Sequence, residues 1–226
     1  MILDHLLTGM PQPLGDKQVP SSIAARRPVA GPVFLGTLGL NGDGVGDAKV
    51  HGGPDKAVHL YPFDHYAAWA AEQPDMAPVL AAPGAFGENF CVAGVTEADV
   101  CLGDVVGLGD ARLQLAQARQ PCWKLGVRFG LPVLPRLLQK TSRTGWYYRV
   151  LSEGEVRQGD NFTLLDRPHP AWTLARTLRV LYVDTLDRDA LDELANLTGA
   201  SAGLRRLAGN RLANAAVEDW EPRLRG

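Results

Sequence analysis

Short apolar runs separated by glycine and proline set the texture of the first two thirds of the chain. The runs at 23–26, 32–35, 57–61, 88–92, 100–108, 111–118 and 161–165 are rich in valine, leucine and phenylalanine. Strands this short, with turn signals between them, predict a barrel or sandwich rather than alternating βαβ units. Two helical periodicities interrupt the β pattern. Pro62 suits a first helical turn, and Tyr66, Trp69 and Ala70 then form an apolar stripe; Val133, Leu134, Leu137 and Leu138 predict a second helix over 132–140.

Beyond Pro168 and Pro170 the strand signals stop. Leu174, Leu178 and Leu181 repeat at helical spacing, Leu191, Leu194 and Leu197 follow the capping residue Asp187, and Leu204, Leu207, Ala208 and Leu212 follow Ser201. Three short amphipathic helices result, none long enough to be stable alone, so they must pack on one another or on the β core. The predicted fold is mainly β with α: a barrel with inserted helices over 1–168, then a three-helix segment over 169–226.

Composition narrows the function classes. A net charge of −2 argues against a dedicated nucleic-acid partner. No stretch approaches the ~18 apolar residues of a membrane span, and the start lacks a basic n-region followed by an apolar h-region. Three scattered cysteines show no disulfide framework, which suits a reducing compartment. A cytoplasmic protein with neither nucleic-acid nor membrane partner is expected.

Cys122 is the strongest chemical candidate. It sits between Arg119 and Lys124, and nearby cations favour the thiolate, the form that attacks or binds metal. Cys91 and Cys101 lie in apolar runs without adjacent cations and read as buried hydrophobes. In residues 49–56, Gly52 and Gly53 lie between His51 and two lysines, Lys49 and Lys56; adjacent glycines let consecutive N–H groups make an anion-binding concavity, although a plain hairpin turn reads equally well. His51, His59 and His65 lack zinc-site spacing, and His59, inside an apolar run, reads as a satisfied structural histidine. Asn89 could cap a turn or hydrogen-bond a heterocycle. Walker, dinucleotide-binding and Gly-x-Ser-x-Gly motifs are absent from the sequence.

Taken in order, Lys49-Val50-His51-Gly52-Gly53-Pro54-Asp55-Lys56-Ala57, Phe86-Gly87-Glu88-Asn89, Pro121-Cys122-Trp123-Lys124-Leu125 and Gly145-Trp146-Tyr147 closely resemble the MOSC domain (molybdenum cofactor sulfurase C-terminal domain). The resemblance covers nearly the whole chain and is greatest to the stand-alone bacterial YiiM-like branch, which carries a three-helix appendage. It implies a β-barrel that binds the molybdenum cofactor (Mo-molybdopterin), with Cys122 as metal ligand, and reduction of N-hydroxylated compounds such as 6-hydroxylaminopurine to amines. Contacts made by the extra N-terminal domain of mitochondrial relatives do not transfer. The resemblance makes Lys49, Gly52, Gly53, Lys56, Asn89, Arg119 and Lys124 candidates for cofactor binding, and His51 and Asp55 candidates for proton relay. With no flavin, haem or iron–sulfur motif in the sequence, electrons would come from a separate flavin-containing reductase; a homodimer is among the allowed assemblies. Two alternatives stand beside this: a sulfur carrier using a Cys122 persulfide, and a non-catalytic cofactor-binding module. Every chemical motif ends before or at Arg149, so the C-terminal helices are expected to shape the substrate entrance or a protein contact, with Arg205, Arg206 and Arg211 open to an acidic partner.

Overall fold

Most of the apolar runs become strands of one curled sheet: Val58–Pro62 and Phe90–Val92 are buried throughout, whereas Ala111–Ala118 alternates only over its first half. The computed structural model describes the backbone of residues 1–226 and every side chain except that of Lys49. In chain order the strands are β1 (His5–Thr8), β2 (Gln12–Leu14), β3 (Val19–Ser21), β4 (Arg27–Pro28), β5 (Val33–Gly36), β6 (Gly39–Leu40), β7 (Val58–Pro62), β8 (Phe90–Val92), β9 (Val105–Leu108), β10 (Ala111–Ala118), β11 (Trp146–Ser152), β12 (Gly154–Val156) and β13 (Thr163–Asp166). Eight form a sheet in the order β13-β9-β10-β11-β7-β8-β1-β4, antiparallel except for β7 with β8. β12, β5 and β6 make a smaller sheet, and β2 with β3 a hairpin.

The ends of the large sheet return toward each other. Residues ahead of β1 bond those ahead of β13: Leu3 N–H donates to Asp160 O at 2.9 Å, Gly159 N–H to Leu3 O at 2.9 Å, and Phe162 N–H to Met1 O at 2.8 Å. This curls the sheet into an open barrel and covers backbone groups that an edge would expose.

The helices are α1 (Ala48–His51), α2 (Asp64–Glu72), α3 (Ala77–Leu80), α4 (Trp123–Phe129), α5 (Leu134–Thr141), α6 (Leu174–Tyr182), α7 (Arg188–Asn196), α8 (Ala202–Asn214) and α9 (Glu221–Arg225). α2 buries Tyr66 and Trp69, as its stripe predicts. α5 begins later than expected, so Val133 is its exposed N-cap while Leu134 and Leu138 are buried. The side chains of Asp187 and Ser201 accept from the backbone N–H groups of Ala190 and Leu204, capping α7 and α8. Residues 23–26 form a turn instead of a strand, closed by Ala25 N–H to Ser22 O at 3.0 Å, and 100–104 turn before β9 begins.

Two apolar clusters organise the molecule. Leu174, Leu178, Leu191, Leu194, Leu204 and Ala208 join Leu102, Leu113, Leu115 and Trp146 in one core, so α6 to α8 and the barrel share their interior. The second cluster joins Tyr61, Tyr66, Trp69 and Phe86 to Leu125 and Phe129 of α4 and to Leu134 and Leu138 of α5. It seats α4, and therefore the residue just before it, Cys122. In the helical segment, Arg205 and Arg206 are exposed but Arg211 is not: it is 1% exposed and cannot meet a partner protein.

Candidate functional site

Three backbone features converge beside Cys122. β10 ends at Ala118, and Arg119 N–H still donates to Gly145 O at 2.9 Å; the chain then leaves the sheet, and Cys122 becomes the extended N-cap residue of α4. Opposite lies α1, where the Asp47 carboxylate accepts from Val50 N–H at 3.3 Å. α1 stops at Gly52, and Gly53 at φ +98°, a left-handed value that suits glycine, turns the chain so that Lys56 comes back over α1 and donates to Val50 O at 2.5 Å. The third feature is the loop before β8. Buried Glu88 accepts from Gly84 N–H at 2.7 Å, Phe86 N–H at 3.0 Å and the Tyr66 hydroxyl. Gly87 in that loop has φ +75°, and a Cβ there would lie 2.8 Å from Ile23 Cγ1.

These features border a shared open cleft. It brings together Cys122, His51, Lys56, Asn89, Arg119 and Lys124, all expected from the sequence, and adds Arg26, Asp47, His59 and Tyr147. Five of the residues singled out in the sequence fare differently. Lys49 lies outside the described residues, since nothing is described of its side chain. Gly52 and Gly53 shape the turn but do not line the cleft. Asp55 faces away from it: its carboxylate accepts from Arg149 Nε at 2.9 Å and Ala202 N–H at 3.2 Å, tying the turn to β11 and α8, so it is not placed to relay protons. Asn89 reaches the cleft with its donors already engaged, giving to Leu7 O at 3.2 Å and Asp43 Oδ2 at 2.9 Å while its Oδ1 accepts from His59 N–H at 3.1 Å. Its amide orders β1, β7 and the cleft wall rather than recognising a heterocycle.

The cleft is strongly electropositive. Lys56, Arg119 and Lys124 make no ion pair with a carboxylate among the described residues. Arg26 differs, holding Asp43 at 2.7 Å and donating to Gly87 O. Arg119 is 5% exposed, and its Nη1 has no hydrogen-bond partner. An unpaired buried cation is costly, so such a set suits an anionic ligand. Burial and then the charges of Arg119, Arg223, Lys124 and Lys56 push His51 down to about 3. Burial and Arg223 likewise lower Lys56, against the opposing pull of Asp55 and Asp47. His59 is held well below its usual range by burial, Arg119 and Arg26. It lines the cleft wall, and hydrogen bonding to the backbone of Gly87 and Thr144 partly opposes the lowering.

The other cysteines are inert by comparison. Burial and then the adjacent Glu88 carboxylate raise the Cys91 thiol, and burial raises Cys101. Neither lines the cleft, where Cys122 sits 4% exposed. His51, His59 and His65 do not form a zinc site: His65 bonds the buried Glu97 at 2.8 Å, and no group of three or more His, Cys, Asp or Glu among the described residues is arranged around a metal position. Among the described residues, no helix is long and apolar enough to cross a membrane.

Residues that sequence reasoning missed came from far away in the chain. Arg26 and Asp43 form one pair at the cleft, and Glu97 accepts from Thr144 N–H and Gly145 N–H, both at 2.8 Å, holding the strand that receives Arg119. No signal in the sequence pointed to this pair, since 23–26 reads as an apolar run.

Comparison with known proteins supports the same grouping. Residues 47–163 match the MOSC domain, and residues 172–215 match the YiiM-like, 3-alpha helix domain. Protein YiiM of Escherichia coli is 37% identical over 207 residues, covering 92% of this chain and 91% of its own. The crystal structure of YiiM from Escherichia coli superposes with a TM-score of 0.80 over 97% of this chain and 100% of that one, at 32% identity. A protein of Gibberella moniliformis named Reductase is 39% identical over 168 residues, 74% of this chain but 30% of its own length. The order of its motifs, the cleft they build and the helices that follow thus place the chain in the MOSC domain family, with a YiiM-like three-helix domain after the barrel.

Proposed function

We propose that the chain is a molybdenum-cofactor-dependent reductase that converts N-hydroxylated compounds, such as 6-hydroxylaminopurine, to amines, with Cys122 as the metal ligand. The observation that carries this reading is the meeting of one thiol with three cations that lack carboxylate partners, one of them with an unbonded guanidinium nitrogen. These residues fit the group. A soft sulfur donor suits a metal already held by dithiolene sulfurs, and Arg119, Lys56 and Lys124 suit its phosphate. The relative named Reductase supports a redox role.

When bound, the cofactor supplies the two-electron redox chemistry. The balance is R–NHOH plus two electrons and two protons giving R–NH2 and water: the N–O bond breaks and nitrogen gains hydrogen. The chain's own residues hold and tune. Lys56, Arg119 and Lys124 fix the anionic end, and the narrow wall of Ile23, Phe86 and Tyr147 limits water. Burial and the surrounding cations keep His51 neutral at neutral pH, so it can hydrogen-bond the substrate but is too weak a base to relay protons; Asp55 is not placed to do so either, and the two protons come from solvent. Electrons come from a separate flavin-containing reductase, for which Arg205 and Arg206 present exposed charge.

The test is molybdenum content and turnover of protein made in a cofactor-competent host and supplied with a flavin reductase. The parent should hold molybdenum and reduce 6-hydroxylaminopurine, and Cys122→Ser should lose both while folding normally. Molybdenum without turnover would instead identify a non-catalytic binding module, and a persulfide on Cys122 without molybdenum a sulfur carrier.

A further inference from the structure

α9 lies outside both matched regions, yet it reaches the cysteine loop. The loop over 119–122 belongs to neither strand nor helix, and Pro121 brings no N–H to anchor it. Two successive carbonyls of this loop accept from a single guanidinium: Arg223 donates through Nη2 to Gln120 O at 3.0 Å and through Nε to Pro121 O at 3.2 Å. A planar fork holding two adjacent peptide groups constrains both their spacing and their tilt. The helix that carries it is firmly seated. Leu224 is buried, Glu221 pairs with Arg136, and Gly226 packs so closely on Trp123 that an added Cβ would lie 2.8 Å from Cδ2 of the ring. The Arg223 charge also acts inside the cleft, where it is among the causes that lower both His51 and Lys56.

We propose that Arg223 is a positioning residue of the site: α9 clasps the Gln120–Pro121 peptides so that Cys122 is held in the cleft wall, and the guanidinium adds its charge to the anion-binding set of Lys56, Arg119 and Lys124. This rests on the reading that the cleft takes an anion beside Cys122, and not on which metal or reaction follows. It gives the end of the chain a part in the site that no motif before Arg149 announces.

The test uses the full chain without cofactor, as parent, Arg223→Ala, Arg223→Lys and Arg225→Ala. Labelling of Cys122 by iodoacetamide is followed by peptide mass spectrometry at one pH, inorganic phosphate binding by calorimetry, and folding by thermal melting. Loss of two charge-assisted bonds should free the loop, so Arg223→Ala labels about tenfold faster and binds phosphate about tenfold more weakly. Arg223→Lys keeps the charge but loses the fork, so it should recover phosphate binding and not the parent labelling rate. Arg225→Ala removes only an exposed pair with Glu221 and should match the parent. Parent-like labelling of Arg223→Ala overturns the clasp, whatever its melting temperature, and parent-like phosphate affinity overturns the contribution of its charge. Should Arg223→Ala not fold, parent-like labelling of Arg223→Lys overturns the clasp on its own. Neither readout involves molybdenum, so a chain that never retains the metal would refute the proposed reaction and leave this result standing.

Discussion

Two buried arginines, one in the helical layer and one in the cleft, have opposite surroundings. Arg211 donates to Val180 O and Thr185 O at 3.2 Å, to Leu181 O at 3.1 Å, and to both oxygens of Glu218 at 2.9 and 2.7 Å. It satisfies carbonyls at and just beyond the end of α6; burial raises the Glu218 carboxyl, but the hydrogen bonds from Arg211 and the backbone, together with the Arg211 charge, lower it on balance. Arg119 is nearly as buried but has an empty Nη1 and no carboxylate. The first is satisfied by the fold; the second is not, and on the function proposed above its free donor meets an anionic ligand.

The largest effect that could break this comparison is on stability at Arg211. Arg211→Met leaves three carbonyls and a carboxylate without their donor and should cost about 3 kcal/mol, read in denaturant or thermal unfolding. Arg119→Met removes an uncompensated charge and should leave stability within about 1 kcal/mol of the parent, while phosphate or cofactor affinity falls about 100-fold. Equal destabilisation by the two variants would mean that Arg119 has a structural role and the cleft is not poised for an anion.

Smaller effects sharpen the picture. Asp55→Asn weakens a partly exposed pair with Arg149 and should cost about 1 kcal/mol or less, with reductase turnover retained; loss of turnover with unchanged cofactor content would return Asp55 to the chemistry. A separate test concerns pH. His51 falls from 6.5 in the unfolded chain to about 3 in the fold, so between those values the unfolded state binds more protons. Stability from this group is complete above pH 6.5 and is lost as pH falls toward 3. Unfolding midpoints of the parent and His51→Gln, compared from pH 7 to pH 4, should therefore converge on acidification as the parent loses the larger share. Parallel curves would place His51 in solvent.

Much of this molecule is written in short-range pattern. The apolar run over Ala111–Ala118, the caps Asp187 and Ser201, and the leucine spacing of α6 to α8 identify their elements because these signals are local, lying within a few residues of one another. Cys122 stands out among three cysteines for the same reason, its cations being three residues before and two after. Position 23–26 misled because an apolar run of four fits a turn as well as a strand until its partners are known. Tertiary structure alone decided which charges meet. Asp55 finds Arg149, 94 residues away, instead of the cleft; Arg211 turns inward from a helix whose other arginines face water; and Arg223 reaches back 102 residues to Pro121. Those pairings depend on sheet register and on how α8 and α9 dock, and a contact between residues a hundred positions apart leaves no mark in the spacing of either one.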